Sequence, residues 1–214
     1  MKLIETNITE TFEELYLIET LNLDNKIILE LGCGDASRTK EIAKNGTNRK
    51  IIASEIDEEQ HKQNLKLNLN NIEFILSGAQ SIPLENNSID IVFMFKSFHH
   101  IPKELMPIAL NEIYRVLKPN GLAYISEPLF FGEQNELISM FHDEEQIRLD
   151  TFNNIQRSVE RGQFKLFKEI FFKSKVYYKN FEDFKNKQMN LTYNNDLIDQ
   201  ELENKIKNKF NSYN

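Results

Sequence analysis

The residues best suited to chemistry begin in one stretch, Ile27-Ile28-Leu29-Glu30-Leu31-Gly32-Cys33-Gly34-Asp35-Ala36-Ser37. An apolar run ends in a carboxylate, breaks on two glycines one residue apart, and enters helix-like sequence. A buried strand delivers its end to a tight turn and a helix N-terminus in this way, with backbone N–H groups facing a ligand. Gly32 and Gly34 let the backbone approach that ligand closely, because no Cβ stands in the way. Glu30 favours a cationic ligand over a phosphate. Glu55 ends the next apolar run, where a carboxylate can accept the hydroxyls of a ribose, and Ile56 beside it can lie against a flat base. Cys33 reads as a small turn residue rather than a nucleophile, since no base is evident near it in the sequence.

A second group lies further on. Phe95 and Lys96 end the fourth apolar run, His99 and His100 follow it, and Glu127 closes the fifth. Either histidine suits a general base or a substrate hydrogen-bond partner, with an ordinary loop or helix-cap role as the alternative. Glu127 is a third catalytic candidate, with a backbone-orienting role as its alternative. The Lys96 ammonium either turns to solvent or binds an anionic substrate.

The elements that must position these groups follow from periodicity. Apolar positions predict a helix over 9–22, then strands at 26–31, 50–54, 72–76, 89–95 and 122–126. Helical spacing separates the strands at 36–45, 58–68 and 105–117. Strands alternating with helices at crossover length predict a parallel sheet covered on both faces. Beyond it, 133–161 reads as one or two amphipathic helices, and Ile198, Leu202, Ile206 and Phe210 mark a final helix. The aromatic-rich segment from Phe164 to Tyr178 is the remaining strand candidate. Phe130, Phe131, Phe141, Phe171, Phe172, Tyr177 and Tyr178 read as core rather than as a substrate cage.

Composition narrows the class. The chain has 214 residues, a net charge of -7 and a single cysteine, so an intrachain disulfide and a multi-cysteine metal site are excluded. The acidic balance disfavours a nucleic-acid partner. No apolar run is long enough to cross a bilayer and the N-terminus has no apolar leader core, so a cytoplasmic protein with no membrane partner is expected.

At this point the residues resemble a family. Glu30-Leu31-Gly32-Cys33-Gly34-Asp35-Ala36 is similar to the first motif of class I S-adenosylmethionine-dependent methyltransferases. Glu55 matches the ribose-binding acid, Gly78-Ala79-Gln80-Ser81-Ile82-Pro83-Leu84 the segment beside the adenine, and Ser88-Ile89-Asp90-Ile91-Val92 the fourth strand. Phe98-His99-His100-Ile101 resembles the loop after that strand in the small-molecule branch. Arg115-Val116-Leu117-Lys118-Pro119-Asn120-Gly121-Leu122 resembles the turn before the fifth. The likeness spans roughly 25–130, and its motifs are jointly specific. It implies an α/β, Rossmann-like doubly wound sheet, mostly parallel with an antiparallel C-terminal strand or hairpin. It also implies S-adenosylmethionine as cofactor, held by Glu30, Gly32, Cys33, Gly34, Glu55, Ile56, Ala79, Gln80, Phe95 and Lys96. The acceptor would be a small molecule and the protein a monomer or homodimer.

Three positions depart from the pattern: Ala36 for a third glycine, Gly78 for an aspartate that receives the adenine amino group, and Asn120 for a turn glycine. Gln80 or backbone must then serve the adenine. One methyltransferase domain over 1–214 is expected, with a helical lid at 1–25, a cofactor core at 26–130 and acceptor-side elements at 131–214. Two alternatives stand beside methyl transfer. One is a non-catalytic cofactor- or partner-binding module on the same fold. The other is an NAD(P)-dependent oxidoreductase, disfavoured by Ser37 at its third fingerprint position and by Glu30 near a pyrophosphate.

Overall fold

Strand β1 (Ile27–Leu31) is apolar but for Glu30 and is buried from Ile28 to Leu31, which puts it at the centre of a sheet with both faces covered. The structure is a computed structural model, and it describes residues 1–5, 7–190 and 198–213. Around β1 the chain forms α1 (Glu14–Glu19), α2 (Ser37–Lys44), β2 (Lys50–Glu55), α3 (Glu58–Leu65), β3 (Ile72–Leu76), β4 (Ile89–Phe95), α4 (Met106–Val116) and β5 (Leu117–Ser126). The strands lie in the order β3-β2-β1-β4-β5 and every pairing is parallel. Strand order therefore reverses between β1 and β4, and a ligand crevice opens at the carboxyl ends of strands at such a point.

Residues of one parity, Ile28, Ile51, Ile91 and Phe93, pack with Ile18 of α1, Leu23 and Ile42 of α2. Residues of the other parity, Leu29, Leu31, Val92 and Met94, are buried as well. Helix α4 buries Met106, Ala109, Leu110, Ile113 and Val116, a stripe at helical spacing. Asn120, in the irregular stretch of β5 between its pairings at Leu117 and Leu122, takes the left-handed φ of 66° that asparagine tolerates.

Among the described residues four helices follow: α5 (Glu133–Ile138), α6 (Glu145–Glu160), α7 (Phe181–Phe184), which continues through a π turn to Met189, and α8 (Gln200–Asn211). The chain packs as two compact units. The first comprises Met1, Glu13–Pro128 and Asp150–Ile170; the second comprises Lys2–Phe12, Leu129–Leu149 and Phe171–Asn214. The second has its own core of Leu137, Phe141, Phe181, Phe184, Met189, Ile206 and Phe210, with Tyr178 packed against it. Tyr177 and Phe131, expected in a core, are exposed (79% and 51%).

Two expectations need correction. The N-terminal helix is shorter than the periodicity over 9–22 predicts. Among the described residues the antiparallel C-terminal strand or hairpin is not formed either. Phe164–Tyr178 runs without a ladder, apart from one parallel bridge between Thr11 and Lys173. Its aromatics come as adjacent pairs, Phe171-Phe172 and Tyr177-Tyr178, and a strand would point one of each pair at solvent. Residues 191–197 lie outside the described residues. Among the described residues no helix is long and apolar enough to cross a membrane.

Candidate active site

Every cofactor-binding and catalytic candidate named above lies in the first unit, at the carboxyl ends of β1 to β5 or on the turns that leave them. The β1 turn is built by glycines in the left-handed region, Gly32 at φ 72° and Gly34 at φ 53°. The Gly32 and Cys33 amides both donate to the Ser54 carbonyl of β2 at 2.9 Å. A Cβ added to Gly32 would stand 2.8 Å from the Cβ of Ser97, whose hydroxyl donates to the Leu31 carbonyl at 3.0 Å. Gly32 is therefore demanded by the neighbouring loop after β4. Gly34 differs: nothing lies within 4 Å of its added Cβ, so that side of the turn is open to a ligand. Ala36 takes the third glycine's place at φ 58°, in the left-handed region although it carries a Cβ.

Two carboxylates flank the turn. Glu30 is buried and accepts the Thr39 hydroxyl at 2.7 Å. Burial pushes its carboxyl up to about 7, with Thr39 and Arg38 opposing. Glu55, at the tip of β2, accepts the Gly34 amide at 2.7 Å with one oxygen, and the Ile56 and Asp57 amides at 2.8 and 3.0 Å with the other. Ile56 is 65% exposed at this strand tip, an unusual place for a large apolar side chain. Cys33 is buried, and desolvation with Glu30 and Glu55 nearby pushes its thiol up, which removes it as a nucleophile.

After β3, Ala79 is buried and the Gln80 carboxamide folds back against Gly78. A Cβ at Gly78 would run into it, 2.7 Å from Nε2. The space that a side chain at 78 would fill is thus taken by the Gln80 amide. Arg115 holds this loop by donating to the carbonyls of Ile82 (2.9 Å) and Leu84 (2.8 Å), while Glu112 accepts the Ile82 amide at 3.0 Å.

At the end of β4, the half-buried Phe95 ring has the Arg38 guanidinium 5.8 Å above it. Lys96 is exposed and turns the chain at a left-handed φ of 52°. In the short 3-10 turn Phe98–His100 that follows, His99 is buried and its Nδ1 lies 2.5 Å from Glu127 Oε2. Glu127 Oε1 accepts the Phe98 amide at 2.8 Å. His100 is exposed, its ring centre 4.1 Å from that of His99.

The arrangement offers what a ribose-bearing cationic cofactor requires: an open glycine turn, a desolvated carboxyl beneath it, a carboxylate at the next strand tip and an exposed apolar face beside that. Residues 28–121 match the family model described as a methyltransferase domain. An S-adenosylmethionine-dependent methyltransferase from Aquifex aeolicus superposes with a TM-score of 0.52 at 25% identity, covering 67% of this chain and 79% of that one. Residues 28–121 are thus similar to the cofactor-binding part of class I S-adenosylmethionine-dependent methyltransferases. Among curated methyltransferases, a ubiquinone/menaquinone biosynthesis C-methyltransferase of Rickettsia prowazekii is 31% identical over 128 residues, 56% of this chain and 50% of the relative. An uncharacterised methyltransferase-like protein of Schizosaccharomyces pombe is 36% identical over 114 residues, 53% of this chain and 41% of the relative. The chain thus spans half or less of the length of these curated relatives. The family cofactor, S-adenosylmethionine, fits the residues present.

Four participants escape a sequence reading of this site: Thr39 under Glu30, Ser97 against Gly32, Arg115 on the β3 loop, and Asn64. The buried Asn64 donates to the Gly34 carbonyl at 2.8 Å, so helix α3 braces the glycine turn from below. A buried asparagine on an otherwise polar helix carries no periodic signal.

Proposed function

We propose that this protein transfers a methyl group from S-adenosylmethionine to a small-molecule acceptor. The observation that carries the reading is the pair of carboxylates at adjacent strand ends, Glu30 buried under the turn and Glu55 on it. When bound, the cofactor supplies a sulfonium whose methyl is electrophilic without protein assistance. The chain's part is to hold and orient. Glu30 offers negative charge to the cationic end, and the Gly32-Cys33-Gly34 backbone gives close approach. Glu55 accepts ribose hydroxyls, Ile56 and Ala79 flank the base, and Gln80 meets its polar edge. Phe95 and Lys96 line the side toward the acceptor. Placing the acceptor in line and excluding water then accounts for most of the rate the protein adds.

Several relatives are named for methylating demethylmenaquinone or ubiquinone and menaquinone precursors, which supports a ring-bearing acceptor of quinol type. Calorimetric titration with S-adenosylmethionine tests the cofactor; an absence of heat at near-millimolar ligand sinks the reading. Incubation with methyl-labelled cofactor and a reduced naphthoquinone tests the reaction. Tight cofactor binding without label transfer to any of a panel of quinols, phenols and enols would mark a non-catalytic module instead.

A further inference from the structure

We infer that residues 164–179 form a surface segment that docks on an anionic lipid bilayer. The inference stands apart from the methyl-transfer reading and does not need it. The segment holds Lys165, Lys168, Lys173, Lys175 and Lys179 against a single acid, Glu169, in a chain of net charge -7. Its charge is opposite to that of the chain as a whole, so it attracts an anionic partner that the rest repels. All five lysines are exposed, and large apolar side chains stand exposed between them. In the first unit these are Leu166, Phe167 (80% exposed) and Ile170; in the second they are Val176 and Tyr177 (79%). Each unit's share of the segment has this mixed make-up by itself.

The exposure is not that of an unpacked tail. In the first unit the Phe164 ring packs edge-on against Tyr114 with centroids 5.6 Å apart, and Gln163 Nε2 donates to Asn111 Oδ1 at 2.8 Å. In the second unit Phe172 stacks on Phe12 at 4.8 Å. There the Lys173 amide donates to the Glu10 carbonyl at 2.8 Å, and the Lys173 carbonyl accepts the Phe12 amide at 3.2 Å. Some aromatics of the segment therefore serve as anchors while Phe167 and Tyr177 face outward. A ring held in water forgoes the burial its neighbours obtain, and a bilayer surface supplies it.

The make-up selects a bilayer over other polyanions. At a headgroup layer, apolar side chains enter the acyl boundary while lysine stems reach back to the phosphates, and no fixed complementary shape is required. That suits a segment with no helix or ladder of its own beyond the Thr11–Lys173 bridge. The segment contains no arginine, the residue whose planar fork best reads nucleic-acid phosphates and bases. Among the described residues no helix is long and apolar enough to cross a membrane, and docking on its surface requires none.

The test is sedimentation of the full chain with vesicles of phosphatidylcholine and phosphatidylglycerol in equal parts, beside vesicles of phosphatidylcholine alone. Partition should be about tenfold or more stronger onto the mixed vesicles, and should weaken about tenfold as salt rises from about 0.1 M to 1 M. Phe167→Ser with Tyr177→Ser should weaken it about tenfold at unchanged charge. Lys165→Gln with Lys168→Gln and Lys175→Gln should weaken it about a hundredfold while the rings remain. None of these side chains belongs to the cofactor site, and both variants should keep the wild-type denaturant midpoint. The chain has no tryptophan, so Phe167→Trp supplies a single reporter whose emission should shift to the blue on the mixed vesicles. No partition, equal partition onto both vesicle types, no shift of the reporter, or variants that partition like the wild type overturns the proposal. Two other outcomes also overturn it. Equally tight binding of the segment to single-stranded DNA would make it a general polyanion site, and self-association lost in the Phe167 and Tyr177 variant would give the surface to a second copy.

Discussion

The Gly34 amide donates to the Glu55 carboxylate at 2.7 Å, tying the turn after β1 to the tip of β2 across 21 residues of chain. Because the same carboxylate also accepts the Ile56 and Asp57 amides, one side chain shapes two strand ends before any ligand arrives. Replacing Glu55 by Ala strips three amides of a charged acceptor. Hydrogen bonds to charged groups contribute roughly 1.5–3 kcal/mol each at most, and solvent will recover part of that. Glu55→Ala should destabilise the fold by about 2 kcal/mol and weaken S-adenosylmethionine binding about a hundredfold. Denaturant unfolding and calorimetry read the two effects; unchanged affinity would remove Glu55 from the site.

Ala36 offers the opposite kind of substitution. It is fully buried at φ 58°, where a Cβ crowds the backbone and only glycine is at ease. Ala36→Gly relieves about 1 kcal/mol of strain, offset in part by the greater freedom glycine has in the unfolded chain. The expected outcome is a Tm raised by about 2 °C, with cofactor affinity unchanged. A lower Tm would mean that the alanine methyl contributes more to packing than the left-handed backbone costs.

The strands were legible because their apolar runs are bounded by turn residues. β3 follows Asn70-Asn71, and β4 starts after Asn86-Asn87-Ser88, which makes both ends visible. The glycine turn and Glu55 were legible because backbone geometry at a strand tip restricts residue type strongly. The props beneath them were not. Ser97 meets the Leu31 carbonyl 66 residues away, Arg115 meets the Leu84 carbonyl 31 residues away, and Asn64 meets Gly34 30 residues away. Such contacts depend on the tertiary path and leave no period in the sequence. The segment from Phe164 to Tyr178 shows the converse failure, because aromatic richness predicts a strand only where alternation accompanies it.

Gly32 and Ser97 should show coupled energetics. Gly32→Ala puts a methyl 2.8 Å from the Ser97 Cβ and holds it at φ 72°. The steric and conformational terms together cost about 2–4 kcal/mol. Ser97→Gly removes the obstructing Cβ but not the left-handed φ, so the double variant should recover only the steric share, about half. Simple additivity of the two single changes, measured by denaturant unfolding, would show that the clash is relieved by backbone movement.

Glu30 ties stability and cofactor binding to pH. Its carboxyl titrates near 4.5 in the unfolded chain and near 7 in the fold, raised by burial, with Thr39 and Arg38 lowering and Asp35 raising it. Below pH 4.5 both states hold the proton and the group has no effect on stability. From pH 4.5 to 7 the unfolded chain ionises while the folded one resists, so stability falls by up to about 3 kcal/mol and stays lowered above pH 7. Glu30→Gln is neutral throughout and should remove this slope, so the variant gains on the wild type as pH rises through that window. A cationic ligand favours the ionised form, so S-adenosylmethionine binding to the ligand-free wild type near pH 6 should release protons. Calorimetry in two buffers of different ionisation enthalpy measures that release, and Glu30→Gln should abolish it. Equal proton release in both proteins would assign the effect to another group.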